Sequence, residues 1–308
     1  MPEAPAPSAP PDSTPHGLRL ALAAVLLAAT AAVLVAQAVQ FDAGPSPEAW
    51  RAAAGLVRAE FAEGDAFVVV PAWESRPRTH LEELPYIPAE SPTWSDLRDA
   101  HRLWMLVEDG RQDEARAMLP PPWQVVEERP GPEVAVLRAE RPAADPTLWD
   151  VLGSLDTATV TREPLGRSLP CSRYTPGLWQ GWSCPGGARI GESIQVVTND
   201  KHRCVWFPAL DRDGPLRMRF HDVPVGSRIV GHAGQPIDAI RADVGQPLTF
   251  ELLVDGQLVH QHTYGLHEEG FLSFDVPVST HGTAEVEFRV HSNDPAMRHL
   301  CFEARTVR

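Results

Sequence analysis

Apolar and polar residues alternate most clearly between Pro247 and Val290. Leu248, Phe250, Leu252 and Val254 alternate with Thr249, Glu251 and Leu253, and Asp255-Gly256 then turns the chain. Leu258–Tyr264 runs back, Gly270–Val276 goes out again and Ala284–Val290 returns. Period-two alternation around Asp-Gly predicts a β-hairpin, and the whole stretch reads as a meander of short strands. From Ala188 to the end, strand patterns recur every eight to twelve residues, the spacing of a β-sandwich or jelly roll. Leu216, Met218 and Phe220 alternate with Arg217, Arg219 and His221, and Leu300, Phe302 and Ala304 close the last strand.

Upstream the period changes. Trp50, Ala53, Ala54, Val57 and Phe61 fall at helical spacing behind Ser46-Pro47, a favourable helix start. Phe67–Val70 and Leu103–Val107 are short, wholly apolar runs, the signature of strands covered on both faces. Arg111–Leu119 is helical in composition, and Trp123–Glu127 with Val134–Ala139 reads as a closing hairpin. Residues 43–145 are therefore expected to form a small α/β domain, half of a doubly wound fold. Residues 146–187, rich in Trp, Pro and Gly, read as a linker, and residues 188–308 as the sandwich. The fold class expected is α+β multidomain, with an antiparallel β-sandwich at the C-terminus.

At the N-terminus, residues 1–17 form a Pro/Ala/Ser tail without period, expected to be disordered. An apolar run over residues 18–40 is long enough to span, since roughly 20 residues cross a bilayer as a helix. With Arg19 near its start, the run reads as a single transmembrane signal-anchor, N-terminus in the cytoplasm. The rival reading is a signal peptide cleaved near Ala38, because Ala36-Gln37-Ala38 fits the small-x-small pattern. Both readings place the bulk of the chain outside the cytoplasm, at a bacterial inner membrane or beyond it.

Charge and cysteines narrow the class. A formal net charge of −14 argues against nucleic-acid partners. Cys171, Cys184, Cys204 and Cys301 match no zinc spacing, and four cysteines in an exported chain read as two disulfides with three possible connectivities. The favoured pairing is Cys171–Cys184, closing a Trp-rich loop, with Cys204–Cys301, tying an early strand of the sandwich to its last.

Two resemblances add to this reading. Pro47–Trp50, Glu63-Gly64-Asp65 before Phe67–Val70, and Arg102–Val107 resemble the soluble C-terminal tail of bacterial membrane glycosyltransferases of the mannosyltransferase type, which use lipid-linked sugar donors. Those enzymes need many membrane helices, and one apolar segment is present, so the resemblance implies the shape without the catalytic part. Gly231-His232-Ala233-Gly234, Phe250–Gly256 and Phe288–Phe302 resemble galactose-binding-like sandwiches, including modules that accompany carbohydrate-active enzymes. That resemblance implies a sandwich and brings no ligand motif.

Three clusters are candidate sites. Trp179, Trp182 and Trp206 are candidates for stacking on a sugar face. Arg217, Arg219 and His221 form a basic row able to hold a carboxylate or phosphate, unless Glu285 and Glu287 neutralise it from another strand. His260, His262 and His267 are a candidate zinc trio, against the plainer reading of an exposed polar strand face. Trp73-Glu74-Ser75-Arg76 follows the first apolar strand, where open sheets bind ligands. No nucleophile elbow, metalloprotease helix, P-loop or dinucleotide fingerprint is present, so no catalytic residue and no cofactor is assigned. The expectation is a non-catalytic envelope protein that binds glycan or another envelope protein. The alternatives are an accessory component of an envelope glycosyltransfer system and a metal-binding module.

Overall fold

The apolar runs and alternating stretches become strands and the helical stripe becomes a helix, but several strands find partners the sequence pattern does not name. The computed structural model describes residues 16–42, 44–174, 181–212, 214–279 and 282–308, with side chains over 21–34 and from 44 onward. The chain divides into two units, 1–46 and 47–308.

In the first unit, α1 spans His16–Asp42. The expected membrane-spanning helix is not supported: among the described residues no helix is long and apolar enough to cross a membrane. Alanine, a small and weakly apolar residue, supplies half of residues 21–34.

The second unit begins with α2 (Pro47–Glu60), β1 (Asp65–Val70), β2 (Arg102–Glu108), α3 (Gln112–Ala117), β3 (Gln124–Arg129) and β4 (Val134–Glu140). The order of elements is the one expected, and the sheet runs β1-β2-β4-β3 with only β1 and β2 parallel. Both apolar runs are covered on two faces, as their composition requires. Phe67, Val69, Trp104 and Leu106 pack under Trp50, Ala53, Ala54 and Val57 of α2. Ala66, Val68, Leu103 and Met105 face the opposite way, against Leu97, Ala100, Ala115 and Trp123. Asp65 is buried at the strand end, where Arg102 and the Trp104 indole donate to its carboxylate.

The remainder is a two-sheet sandwich. Its strands are β5 (Thr147–Asp150), β6 (Thr159–Arg162), β7 (Leu169–Pro170), β8 (Ser172–Tyr174), β9 (Gly181–Ser183), β10 (Arg189–Val197), β11 (Asp200–Pro208), β12 (Leu216–Val225) and β13 (Arg228–Gly234). After the short α4 (Ile237–Arg241) come β14 (Leu248–Val254), β15 (Gln257–Tyr264), β16 (Leu272–Pro277), β17 (Gly282–Ser292) and β18 (His299–Val307). Among the described residues one sheet runs β16-β13-β18-β11-β10-β9-β8, with β5 also on β18, and the other runs β15-β14-β17-β12-β6-β7. Phe207, Phe220, Phe250, Phe288 and Phe302 are fully buried between the sheets, with ring centroids 4.8 to 6.2 Å apart among neighbouring pairs. Such tilted and offset pairs add about 0.5–1.5 kcal/mol each beyond their buried area.

Two expectations are corrected by the strand pairing. The segment read as a linker supplies β5 to β9 and is part of both sheets. The stretch Pro247–Val290 is not a meander. β14 and β15 form the predicted hairpin, with Asp255 (φ 49°) and Gly256 (φ 76°) both left-handed as a type I′ turn demands. β16 then crosses to the other sheet and pairs with β13, and β17 returns beside β14. Period two records which face a residue occupies and is silent about which strand lies alongside.

The disulfides are Cys171–Cys184 and Cys204–Cys301, the favoured connectivity. They span 13 and 97 residues. Chain-entropy arguments give about 3 kcal/mol for the short loop and about 4.5 kcal/mol for the long one. Replacing Cys204 and Cys301 together by alanine is therefore expected to lower the unfolding free energy by more than the same change at Cys171 and Cys184. Denaturant unfolding of the two double variants measures the difference, and an equal loss would rule out the loop-length account.

Candidate functional site

The sequence-expected clusters are used up by the fold. Trp179 lies outside the described residues. Trp182 is 3% exposed and belongs to the sandwich core, which removes it as a sugar platform. Trp206 is half-buried, its ring 5.5 Å from that of His299. Trp73 is exposed and carries the Arg111 guanidinium 5.1 Å above its ring, while Glu74 and Arg76 pair with each other.

The basic row is neutralised. Glu287, 3% exposed, receives Arg219 at 2.6 Å and Arg217 at 3.5 Å, and pairs with Arg289. Arg217 also meets Glu163 at 2.8 Å, and His221 meets Glu285 at 3.2 Å. Burial by itself would raise the Glu287 carboxyl, but hydrogen bonds from Arg289 and Arg219 outweigh it and hold the group below the ordinary carboxylate range. The cross-strand carboxylates answer the row, and no anion is needed to balance it.

The histidines form neither a zinc trio nor an exposed polar face. In the hairpin register His262 stands opposite Phe250 and His260 opposite Leu252, so both point to the inner side with those core residues. The His260 ring stacks 5.2 Å from Phe274, and burial first, then the neighbouring His262, pushes its pKa down. His262 pairs with Glu268 at 2.7 Å, and His267 with Asp243 at 3.2 Å. Among the described residues no group of three His, Cys, Asp or Glu is placed to hold a metal.

A different place has the form of a site. Residues 90–99 of the α/β layer dock on the outer face of the sheet containing β11. Asp96 Oδ2 accepts from the Thr93 backbone N–H at 2.8 Å and its hydroxyl at 3.0 Å, and meets His202 Nδ1 at 2.9 Å. Its Oδ1 accepts the Arg203 backbone N–H at 2.6 Å. Ser95 donates to the Arg203 carbonyl, and Asp200 receives the backbone N–H groups of Glu90 and Ser91.

Beside this seam, between the α/β layer and the outer face of β16, β13 and β18, lies a cleft of about 470 Å³. Trp94 and the run Pro120–Pro122 form one wall, and Ser273, His232, Glu303 and Arg305 form the other. Strand register lines up Ser273, His232 and Glu303 across three neighbouring strands. His232 Nδ1 meets the Glu303 carboxylate at 2.7 Å, with Glu303 3% exposed at the side chain and His232 30%. That carboxylate fixes the ring so that Nε2 is the nitrogen left for a ligand. Arg305 lies over the Trp94 ring at 5.4 Å and donates to Thr147 Oγ1 and the Pro121 carbonyl. The cleft thus offers aromatic and proline surface with a few fixed polar groups, the make-up of small-ligand sites.

Sequence reasoning passed over Trp94, Glu303 and Arg305. The available signal was in the last strand, where Glu303 and Arg305 alternate with the core residues Phe302 and Ala304 at positions that would otherwise face water.

Strand order and disulfides define a disulfide-closed antiparallel β-sandwich carrying a docked α/β layer. No family model and no curated protein matches the chain. Among solved structures it is similar to CBM51 from Clostridium perfringens GH95 in complex with methyl-galactose, at 13% identity and TM-score 0.29, over 44% of this chain and 92% of that one. It is also similar to the CBM51-2 and INT domains of Clostridium perfringens ZmpB, at 11% identity and TM-score 0.30, over 47% of this chain and only 32% of that one. A third likeness is to the carbohydrate-binding module CBM36 in complex with calcium and xylotriose, at 11% identity and TM-score 0.25, over 39% and 92% of the two chains. At these values the likenesses carry no inference about ligand or site. The resemblance of residues 45–140 to a glycosyltransferase tail is not shown by them.

The Glu287 cluster yields a pH prediction. A carboxyl held below its unfolded value stabilises the fold fully above the unfolded pKa of about 4.3, and that stabilisation is lost as pH falls through the folded value. Glu287→Gln leaves three guanidinium groups without their shared counter-charge and is expected to cost about 3 kcal/mol at neutral pH. The variant should also lose less stability than the parent on acidification below about pH 4.3. Thermal unfolding of both proteins across that range checks the crossing.

Proposed function

We propose that this protein is a non-catalytic, extracytoplasmic binding protein that holds a saccharide in the cleft between its α/β layer and its sandwich. The observation that carries the reading is the cleft itself: about 470 Å³, walled by Trp94 and prolines, with a histidine fixed by a buried glutamate. Fixed polar groups can meet a sugar's hydroxyls, and Trp94, buried with Arg305 over its ring, closes the wall beside them without offering a stacking face. The two disulfides support placement outside the cytoplasm, where such bonds persist. We further propose that the apolar stretch 18–40 directs that export. Ser273, His232 and Glu303 line up across three strands in the order of a nucleophile, base and acid, but no hydrogen bond joins the serine hydroxyl to His232 among the described residues, and binding is the reading kept.

The test is retention of the 47–308 unit on a panel of immobilised envelope and plant polysaccharides, set beside Ser273→Trp. Ser273 is exposed on an outer strand face, so the indole fills the cleft without entering the core. Retention on at least one glycan, abolished in the folded variant, is the expected result. Retention that survives the substitution would move the site elsewhere, and no retention on any glycan removes the saccharide reading.

A further inference from the structure

The polar groups of the cleft are unequally spent. Its carboxylates are already engaged: Glu303 with His232, and Asp275 with Arg228 at the rim. Asp145, close enough to act on Arg305 through its charge, accepts the Thr147 backbone N–H at 2.8 Å and faces Arg141 at 3.7 Å. The donors are not. Trp94 is 6% exposed, and its indole N–H has no hydrogen-bond partner. A buried donor without an acceptor costs about 1–3 kcal/mol, a loss that a ligand oxygen would recover if the indole turned its N–H into the cleft.

Arg305 is 8% exposed and makes its hydrogen bonds to neutral oxygens, the Thr147 hydroxyl and the Pro121 carbonyl. They occupy two of the five N–H groups a guanidinium carries. No carboxylate lies within ion-pair distance of it among the described residues, in contrast to the arginines around Glu287. Burial pushes its pKa down by more than the charges of Glu303 and Asp145 raise it. His232 supplies the complement. With Nδ1 directed at Glu303, Nε2 is the ring nitrogen left to meet a hydroxyl.

A buried guanidinium over an indole with a free N–H, beside an imidazole acceptor, calls for a ligand bearing both an oxyanion and hydroxyl groups. We infer that the cleft selects an acidic saccharide, its oxyanion taken by Arg305 and Trp94 and a ring hydroxyl by His232. This inference rests on the saccharide reading above and sharpens it. The net charge of −14 offers a polyanion no diffuse attraction, so a preference for acid must arise inside the cleft.

The test is calorimetric titration of the full chain with galacturonate oligomers, sulfated galactose oligomers and neutral galactose oligomers of matched length. A charge-assisted hydrogen bond predicts that at least one acidic series binds about tenfold or more tighter than the neutral one. The uronate and sulfate arms tell which oxyanion is preferred. Trp94→Phe keeps an aromatic side chain but removes the indole N–H together with part of the bicycle, and it should narrow the acidic-to-neutral ratio several-fold while leaving neutral binding in place. Arg305→Gln should bring the ratio close to one, and the parent ratio and Trp94→Phe decide the matter if that variant does not fold. Equal binding of acidic and neutral oligomers overturns this inference and leaves the saccharide cleft standing. So does a ratio that neither variant changes. Failure to bind any oligomer overturns both.

Discussion

The arrangement of the second unit depends on one carboxylate. Asp96 gives both oxygens to the contact between the α/β layer and β11, accepting from Thr93 and Arg203 and meeting His202. Asp96 and His202 are each 4% exposed at the side chain, so neither can exchange its partner for water. Removing one member of such a pair costs far more than the pair's net worth, because the other stays buried and unanswered. Residues 90–99 are thereby held against the sheet, and with them Trp94. Trp94 reaches the cleft because Asp96, two residues on, is pinned.

Docking also explains a pattern in the last strand that an isolated sandwich would not produce. A strand with one wet face alternates buried and exposed residues. Leu300 to Thr306 are all buried, and they include Glu303 and Arg305 on the outer face. Leu300, Phe302 and Ala304 fill the space between the sheets. Cys301, Glu303 and Arg305 lie under the α/β layer or at the edge of the cleft, and there each polar group has a specific partner. Burial of that second face brings the Glu303 carboxylate and the Arg305 guanidinium into surroundings where hydrogen bonds are worth more than they are in water.

What the sequence reveals and what it hides divide along sequence distance. The helix over Pro47–Glu60, the two covered apolar strands, the Asp255-Gly256 turn and the alternation of β12 and β18 are local patterns, and all are present. Asp96 and His202 are 106 positions apart, and no local period joins them. The same limit misplaces β16, whose alternation is clear but whose partner is on the other sheet. The Trp182 and His260 readings failed for another reason. An aromatic beside a cysteine has the same composition whether it fills a core or faces a ligand. Two histidines at i and i+2 share a face, yet only the register opposite Phe250 and Leu252 says that the face is the inner one.

Arginine shows why the visible cluster was the wrong one. Arg217 and Arg219 announce themselves as an alternating row, and the strands on either side bring Glu163, Glu285 and Glu287 to meet them. A row on an open strand face has cross-strand neighbours on both sides, so opposite charge is easily supplied there and adds to sheet stability. Arg305 is a single residue between alanine and threonine, with nothing in its local sequence to mark it. Its cross-strand neighbours in β13 and β5 are Val230 and Asp150, and Asp150 turns to the Gly153 N–H and Arg98 instead. Its guanidinium then lies on Trp94, under prolines that have no N–H to give and a carbonyl that carries no charge. Charge satisfied within the sheet is structure. Charge left unanswered in a buried cleft is the property a ligand can use.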